Sequence, residues 1–234
     1  MEGPTDISWF DDHYYSAPRQ IIEFLAGDNL SLEGKTVADL GTGDGIIALG
    51  LHDLARPAEL VGYDLDAVDE KQLVAMAREH KVADELPPTL RFEQSSPDRI
   101  PAPDATFDFV VSWSAFEHIS NLEGMAREVH RVLAPGGVVM IQLFPFYMSE
   151  HGDHGWHRPG FAHLVTGEDE PPGDAYLNRT TLDDLHRALL AGGLRTGKVE
   201  LIHHAFHLPP ELVDQRLSDL AIGGVKLLAV KAMA

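Results

Sequence analysis

The residues with the clearest chemical capacity form a glycine-rich turn, residues 39–45, which reads Asp-Leu-Gly-Thr-Gly-Asp-Gly. Strand-favouring residues precede it and a helical pattern follows, so the turn joins a buried strand to a helix. Glycines there let the backbone bend tightly and approach a ligand closely. The turn lacks the Gly-Lys-Ser/Thr sequence that cradles phosphates, and its third glycine comes one position too early for the dinucleotide fingerprint. Nucleoside triphosphatases and dinucleotide sites are therefore disfavoured.

Carboxylates in and after this turn indicate what kind of ligand it accepts. Asp39 ends the strand and Asp44 lies inside the turn, and carboxylates at a helix N-terminus oppose a pyrophosphate. They suit a ligand whose nearest group is cationic. The next acid, Asp64, ends a second apolar strand about twenty residues on, which is the spacing of a carboxylate that holds ribose hydroxyls. A ribose and a cation without phosphate indicate S-adenosylmethionine.

Four motifs in order resemble those of class I S-adenosylmethionine-dependent methyltransferases, in the branch that acts on small molecules. They are the glycine turn, Asp64, the strand Phe-Asp-Phe-Val-Val-Ser at residues 107–112, and Arg-Val-Leu-Ala-Pro-Gly-Gly at residues 131–137. A Glu-His pair, Glu117 and His118, follows the fourth strand as in that branch. The likeness covers about residues 35 to 144 well and the rest loosely.

Alternating strand and helix patterns predict one Rossmann-like α/β domain over residues 1–234, doubly wound around a seven-stranded, mostly parallel sheet. The resemblance implies that the last strand is antiparallel and inserts between strands five and six. We predict strands at 35–40, 60–64, 89–94, 107–113, 138–144, 199–206 and 225–231, and helices at 18–26, 46–51, 69–82, 122–133, 181–190 and 211–220.

Two segments lie outside this alternation. Residues 1–30 are predicted to form an N-terminal helical lid over the cofactor. Residues 145–180 show no helix or strand period but hold several histidines, prolines and aromatic residues. Since the segment leaves the carboxyl end of strand five, where ligands bind in open α/β sheets, we predict a substrate-recognition insertion; a solvated surface excursion is the alternative.

The resemblance also assigns cofactor contacts. It places the amides of Gly41 and Gly43 along the methionine moiety with Asp39 near its amino group, although Asp39 could equally cap a helix. Family members often carry an Asp near the adenine where this chain has Ser96. Ser112 is expected to contribute its carbonyl, and Tyr15 and Arg19 to close over the cofactor unless they only pack. The predicted cofactor-binding residues are Asp39, Gly41, Thr42, Gly43, Asp64, Leu65, Ser96, Ser112, Tyr15 and Arg19.

Methyl transfer to an alcohol needs a base, and histidine suits that role near neutral pH. We predict His154 as the base, with Asp153 or Glu150 orienting it. His163 is the second catalytic candidate, and His118 the third, although bracing the loop beside Glu117 is its more natural role. The predicted substrate-binding residues are Phe146, Tyr147, His151, Trp156 and His157.

A metal site competes with this interpretation. His151, Asp153, His154 and His157 lie close enough in sequence to supply ligands. They form no fixed tetrahedral framework, however, and histidine-rich loops bind metals incidentally. We therefore predict that no metal takes part.

The composition of the chain limits the classes of partner that it can be expected to bind. A formal net charge of −19 argues against nucleic acid and against anionic membranes, and the absence of cysteine excludes disulfides and a cysteine nucleophile. With no signal-like start and no long apolar run, we expect a cytoplasmic protein. We expect a small-molecule acceptor, no nucleic acid, no membrane, and a monomer or homodimer.

The sequence as a whole predicts S-adenosylmethionine-dependent methylation of a small molecule, at a hydroxyl of a natural product or sugar-like intermediate. Three alternatives stay open. One is N-methylation of a small amine, which the acidic charge would favour. Another is a non-catalytic cofactor-binding or scaffold protein of the same fold. The third is chemistry other than methyl transfer on this fold, since fold does not determine function.

Overall fold

The computed structural model describes residues 8–168, 176–203 and 205–233. Within these ranges the strands are β1 (Thr36–Leu40), β2 (Glu59–Asp64), β3 (Leu90–Gln94), β4 (Phe107–Trp113), β5 (Leu133–Leu143), β6 (Leu194–His203) and β7 (Ile222–Lys231). They form one seven-stranded sheet in the order β3-β2-β1-β4-β5-β7-β6. β1 to β5 run parallel, while β7 lies antiparallel between β5 and β6. The predicted Rossmann-like architecture, with its antiparallel last strand, is confirmed.

Helices cover both faces of this sheet. Side chains of α2, α3 and α4 share one buried cluster with the sheet, and those of α5 and α7 share a second. The helices are α1 (Trp9–Asp11), α2 (Ala17–Ala26), α3 (Ile46–Ala55), α4 (Glu70–Glu79), α5 (Leu122–Val132), α6 (Ala162–Thr166), α7 (Leu182–Ala191) and α8 (Leu217–Ala221). A π-helical turn, Asp12–Ser16, joins α1 to α2.

The central strand β4 explains why its sequence is almost continuously apolar. Phe109 and Val111 belong to the cluster on one face, and Phe107 and Val110 to the cluster on the other. Successive side chains of a strand point to opposite faces, so a strand covered on both sides has no polar face. Because β4 runs parallel to its neighbours β1 and β5, the carboxyl ends of these strands lie at the same edge of the sheet.

Two predicted elements near the C-terminus have different bounds. β6 begins at Leu194, five residues before the predicted start at Val199, because Leu194 already pairs with Lys231 of β7. Phe206, the predicted end of that strand, lies outside it and packs its ring 5.1 Å from that of Phe161. The predicted helix at 211–220 is split into a 3₁₀ turn, Pro210–Leu212, and α8.

The N-terminal segment reaches the glycine turn. The indole N–H of Trp9 donates to Oδ2 of Asp44 at 3.1 Å. A Cβ on Gly50 in α3 would lie 2.1 Å from the carbonyl oxygen of Tyr14, so the π-helical turn packs directly on α3. The predicted lid over residues 1–30 stays a prediction, and residues 1–7 of it lie outside the described ranges.

The insertion after β5 contains the short helix α6. Phe161, just before α6, forms a small buried cluster with Leu212 and Leu220 from the segment ahead of β7. Residues 169–175 of the predicted insertion lie outside the described ranges, and the division of the chain into a lid, a domain and an insertion remains a prediction. No described helix combines the length and apolarity that crossing a membrane requires.

Candidate functional site

The glycine turn lies at the carboxyl edge of the sheet. The amides of Gly41 and Thr42 donate to the carbonyl of Tyr63 in β2, at 2.8 and 3.0 Å. Gly41 (φ 78°) and Gly43 (φ 57°) adopt the left-handed conformation that favours glycine. A Cβ on Gly41 would lie 2.3 Å from that of Ala115, whereas one on Gly43 would meet nothing within 4 Å. Packing therefore requires Gly41, while Gly43 leaves open space beside the turn.

A cavity of about 430 Å³ opens at this edge. Its volume falls within the range of about 300–1,000 Å³ typical of ligand sites, and it lies beyond the carboxyl ends of β1 to β4, where ligands bind in open α/β sheets. Six of the predicted site residues line it: Gly41, Gly43, Asp64, Leu65, Ser96 and His118.

Asp64 ends β2 on the wall of this cavity. Its Oδ2 accepts from the amide of Gly43 at 2.8 Å, and its Oδ1 accepts from the amide of Asp66 at 3.3 Å. A carboxylate has about four lone-pair sites, so both oxygens can still accept from a diol. The hydrogen bonds from these two backbone amides therefore orient the Asp64 carboxylate and leave lone pairs that can accept from a ligand. They also engage the amide of Gly43, and the expected contact of that amide with a methionine moiety stays a prediction.

Asp39 is 2 % exposed and accepts a 2.7 Å hydrogen bond from the hydroxyl of Thr42. Burial raises the pKa of Asp39 to about 6; the Thr42 bond opposes this shift, while Asp64 and Asp44 add to it. Neither Asp39 nor Thr42 belongs to the described cavity wall. Asp39 is thus a buried neighbour of the site, and its predicted contact with an amino group stays a prediction.

Three other predicted contact residues also lie off the cavity wall. The hydroxyl of Ser112 donates to the carbonyl of Leu40 at 2.8 Å, which ties β4 to β1. Tyr15 packs edge-on against Tyr14, with ring centroids 4.7 Å apart. The guanidinium of Arg19 lies 5.4 Å from the centre of the Tyr15 ring. The predicted contacts of these three residues with the cofactor, through the main-chain carbonyl in the case of Ser112, stay predictions.

Some cavity residues escaped the sequence analysis. Ser114 lines the wall two positions beyond Ser112, in a left-handed conformation (φ 49°), and its amide and hydroxyl both donate to Oε1 of Gln142 at 2.9 Å. Tyr176 lines the wall from the distant segment before α7. Neither residue belongs to a motif, so no sequence signal marked them.

Glu117, His118 and His154 come together at the edge of the cavity. One potential ligand atom from each lies within 4.8 Å of the others, and the rings of His118 and His154 are 5.4 Å apart. Nδ1 of His118 lies 2.8 Å from the carbonyl of Tyr176. Because a carbonyl only accepts, Nδ1 carries a proton, and in the neutral imidazole the lone pair is then on Nε2.

Burial dominates the electrostatics of this cluster. Glu117 is 3 % exposed, and neither of its carboxylate oxygens has a hydrogen-bond partner among the described residues. Burial raises the pKa of Glu117 to about 8. Nε2 of His154 is likewise buried without a described partner. Burial lowers the pKa of His154, and His118 lowers it further, while Asp153 acts in the opposite direction.

His163 and Asp153 form a different arrangement. His163 is 1 % exposed, with Nε2 lying 2.7 Å from the carbonyl of Tyr147 and Nδ1 lying 3.5 Å from Asp153. Asp153 also accepts from the amide of Gly155 at 3.0 Å and pairs with Arg158 at 3.2 Å. Both ring nitrogens of His163 are therefore engaged inside the insertion, which suits a bracing residue better than a base.

The predicted substrate residues divide into two groups. Phe146 and Tyr147 are buried at 3 and 8 % exposure, whereas Trp156 is 55 % exposed and its ring stacks 5.8 Å from Phe144. A second cavity, of about 210 Å³, is lined by Trp156 and His151 together with Phe144, Pro145, Ser149 and Glu150. His157 is exposed and lines neither cavity.

Comparison with known proteins finds methyltransferases. A family profile described as a methyltransferase domain matches residues 38–141. The demethylmenaquinone methyltransferase of Deinococcus radiodurans is 33% identical over 120 residues, which is 51% of this chain and 47% of that protein. The ubiquinone biosynthesis O-methyltransferase of Psychrobacter arcticus is 28% identical over 144 residues, 59% of this chain and 52% of that protein. The chain spans about half the length of these curated relatives.

A solved structure extends the likeness to the whole fold. An S-adenosylmethionine-dependent methyltransferase from Mesorhizobium loti superposes with a TM-score of 0.59 at 22% identity, covering 89% of this chain and 96% of that chain. Together with the sheet order and the glycine turn, these matches identify a class I methyltransferase fold. Residues 38–141 match a methyltransferase domain, and these likenesses indicate S-adenosyl-L-methionine as the cofactor.

The residues present fit that cofactor. The open space beside Gly43, the free lone pairs of Asp64 and a cavity of about 430 Å³ together suit a nucleoside without a phosphate. Ser96 lines the cavity where an adenine acceptor is expected, and its hydroxyl donates to Asp98 at 3.0 Å. An oxygen that donates elsewhere keeps its lone pairs, so Ser96 can still accept.

Proposed function

We propose that this protein methylates a hydroxyl group of a small molecule, a natural product or a sugar-like intermediate, with S-adenosylmethionine as the methyl donor. One observation carries the proposal. A single cavity is lined by Gly43, Asp64 and His118, with His154 next to His118. A methyl donor held by Asp64 and a hydroxyl activated beside His118 would share this one cavity.

The cofactor, when bound, supplies an electrophilic methyl group on a sulfonium. Asp64 would accept from the ribose hydroxyls, and Leu65 and Ser96 would lie beside the adenine. Asp39 lies off the cavity wall, so it would attract the amino group of the cofactor electrostatically without contacting it. These residues align the donor and exclude water, which is the main requirement of an in-line displacement.

The acceptor oxygen forms its bond to the methyl carbon as the carbon–sulfur bond breaks, and the hydroxyl proton must leave. We assign that proton to Nε2 of His154. Burial keeps this imidazole neutral, and its nitrogen has no described partner that would compete for the proton. His163 is set aside for this role since both its nitrogens are engaged.

The rest of the acceptor would extend toward the insertion. Trp156 presents an exposed aromatic face next to His151 at the second cavity. Stacking on an aromatic ring with polar groups nearby is a common way to bind ring-shaped ligands, sugars included. The ubiquinone biosynthesis O-methyltransferase among the relatives is consistent with an oxygen acceptor, and it supports the proposal only by likeness.

The test is turnover with matched acceptors. S-adenosylhomocysteine formation is measured with hydroxylated small molecules and with the corresponding amines. We expect turnover of hydroxylated acceptors and a loss of about 10²- to 10⁴-fold in His154→Gln. His207→Gln is the control because His207 is exposed and lines neither cavity. Turnover of amines alone would contradict O-methylation, and wild-type rates in His154→Gln would remove His154 from the mechanism.

A further inference from the structure

Glu117, His118 and His154 form a cluster of three potential ligand groups, of which methyl transfer with a single base uses only His154. Glu117 and His118 belong to the 3₁₀ turn after β4, Phe116–His118, while His154 comes from the insertion after β5. Their potential ligand atoms lie within 4.8 Å of one another. Three donor groups from two distant parts of the chain thus converge on one point at the cavity edge.

Each member of this cluster presents unshared electron pairs. Both oxygens of Glu117 and Nε2 of His154 are buried without a described partner. His118 directs its Nδ1 proton to the carbonyl of Tyr176, which leaves Nε2 with a lone pair. A metal-binding imidazole commonly donates its other N–H to a backbone carbonyl in this way, because that bond fixes the tautomer and the ring orientation.

The buried carboxylate of Glu117 needs a positive charge beside it if it is to stay ionised. Burying an ionised carboxylate without hydrogen bonds is costly, so such a group either takes up a proton or acquires a cation. Glu117 is 3 % exposed, its carboxylate oxygens accept no described hydrogen bond, and the two groups that approach it are imidazoles. A cation at the meeting point would satisfy all three groups at once.

We infer that Glu117, His118 and His154 bind a divalent transition-metal ion. Two imidazole nitrogens and one carboxylate oxygen are ligands that Zn²⁺ and Mn²⁺ accept, and bond lengths of about 2.0–2.2 Å place ligand atoms about 3.0–3.5 Å apart. The cluster, whose potential ligand atoms lie within 4.8 Å of one another, therefore needs a contraction of up to about 2 Å to close around an ion, a shift within the reach of side-chain rotation. Three protein ligands leave coordination positions open.

The ion would give the site a second way to activate the acceptor. This step rests on the proposed function: an acceptor hydroxyl that takes an open position would release its proton to solvent water more readily, because a bound cation lowers the pKa of a coordinated oxygen. The lone pair of His154 would then serve the ion instead of accepting the proton. The methyl acceptors expected at such a site are hydroxylated molecules that can coordinate a metal ion.

This site differs from the group of neighbours in the sequence, His151, Asp153, His154 and His157, at which the sequence predicts no metal. In the structure, Asp153 is committed to Arg158 and the amide of Gly155, and His157 is exposed. Only His154 of that set joins the cluster.

The experiment is metal binding to the full chain after treatment with a chelator. Zn²⁺ and Mn²⁺ are titrated in separate calorimetric experiments, and the bound metal is quantified by elemental analysis after dialysis. We expect one ion per chain, an increase in the unfolding temperature, and an affinity reduced at least tenfold in Glu117→Gln and in His118→Gln. Glu117→Gln keeps the shape of the side chain and removes its charge, so circular dichroism is expected to report a folded protein.

The controls are His151→Gln and His157→Gln, which would lower the affinity only if the ion were bound by the insertion alone. We expect both to bind like the wild type. Absence of stoichiometric binding, or unchanged affinity in both Glu117→Gln and His118→Gln, would overturn the inference. S-adenosylmethionine is titrated into the same metal-free protein in parallel. If the cofactor fails to bind while the metal binds, the proposed function fails and the metal site stands.

Discussion

Two carboxylates at the ends of neighbouring strands, Asp39 and Asp64, have different surroundings. Asp64 lies on the cavity wall and is oriented by two backbone amides. Asp39 is buried, with the hydroxyl of Thr42 as its side-chain donor. The same residue type therefore serves two purposes, because one carboxylate is open to a ligand and the other is enclosed by the fold.

The raised pKa of Asp39 predicts a pH-dependent stability. Its pKa rises from 3.8 to about 6 on folding, chiefly through burial, so the folded state holds an extra proton between these values. Stability from this group is complete below pH 4 and is lost as the pH rises through about 6, by on the order of 3 kcal/mol at most. Relative to the wild type, Asp39→Asn is therefore expected to gain stability over this interval. Denaturant unfolding of both proteins from pH 4 to 7 measures the difference, and parallel curves would contradict the assignment.

The two glycines of the turn predict different losses on substitution. Gly41→Ala is expected to destabilise the fold by about 2 kcal/mol or more, since its Cβ would lie 2.3 Å from that of Ala115 and its φ is 78°. Gly43→Ala meets no atom within 4 Å, and we expect it to cost about 1 kcal/mol of stability while weakening cofactor binding more strongly. Thermal unfolding and cofactor titration separate the two effects. Equal losses of stability would contradict this distinction.

At the scale of elements, the segment before α7 holds the 3₁₀ turn after β4. The side-chain amide of Asn178 donates to the carbonyls of Phe116 and Ile119 at 2.6 and 3.0 Å, and its backbone amide donates to the carbonyl of Glu117 at 2.9 Å. The carbonyl of Tyr176 accepts from His118. The insertion thus positions Glu117 and His118 from outside the sheet.

Removing the side chain of Asn178 tests this positioning. Asn178→Ala leaves two carbonyls without their donor, which is expected to cost about 2 kcal/mol or more of stability. We also expect weaker metal binding at Glu117 and His118, with little change in the affinity for the cofactor. Chemical denaturation and the two titrations report these quantities. Unaltered metal binding in a destabilised Asn178→Ala would show that the turn holds its shape alone.

The elements also show how far the sequence could lead. The glycine turn and Asp64 were predictable because both depend on short-range relations, a strand–turn–helix and the spacing of one βαβ unit. The place of Ser114 in the cavity was not predictable, since it depends on the left-handed conformation of this residue after β4. The start of β6 was not predictable either, since it depends on pairing with β7. His154 was predicted as a base, but its meeting with Glu117 depends on the path of an irregular insertion that carries no periodicity.

The histidines of the insertion illustrate the same limit. His163 and His154 look equivalent as candidate bases when only their residue type is known. In the structure, His163 bridges the carbonyl of Tyr147 and Asp153, while Nε2 of His154 has no described partner. The sequence ranks His154 ahead of His163, and tertiary hydrogen bonding supplies a physical difference between them.

The charge of the whole molecule carries a prediction of its own. With a net charge of −19, the folded chain is under electrostatic self-repulsion, which salt screens. Raising sodium chloride from about 10 mM to about 300 mM shortens the Debye length from about 30 Å to below 10 Å, and we expect the unfolding temperature to rise by a few degrees. Thermal unfolding across this range measures it. A constant or falling unfolding temperature would mean that attractive ion pairs outweigh the repulsion.

The central claim about the molecule is that its cavity binds S-adenosylmethionine through Asp64. The most direct measurement is calorimetric titration of S-adenosylmethionine and S-adenosylhomocysteine into the wild type, Asp64→Asn and the neighbouring control Asp66→Asn. We predict one-to-one binding near micromolar affinity by the wild type and the control, and a loss of tenfold or more in Asp64→Asn, equivalent to about 1.4 kcal/mol or more. Failure of both ligands to bind the folded wild type, or unchanged affinity in Asp64→Asn, would contradict the claim.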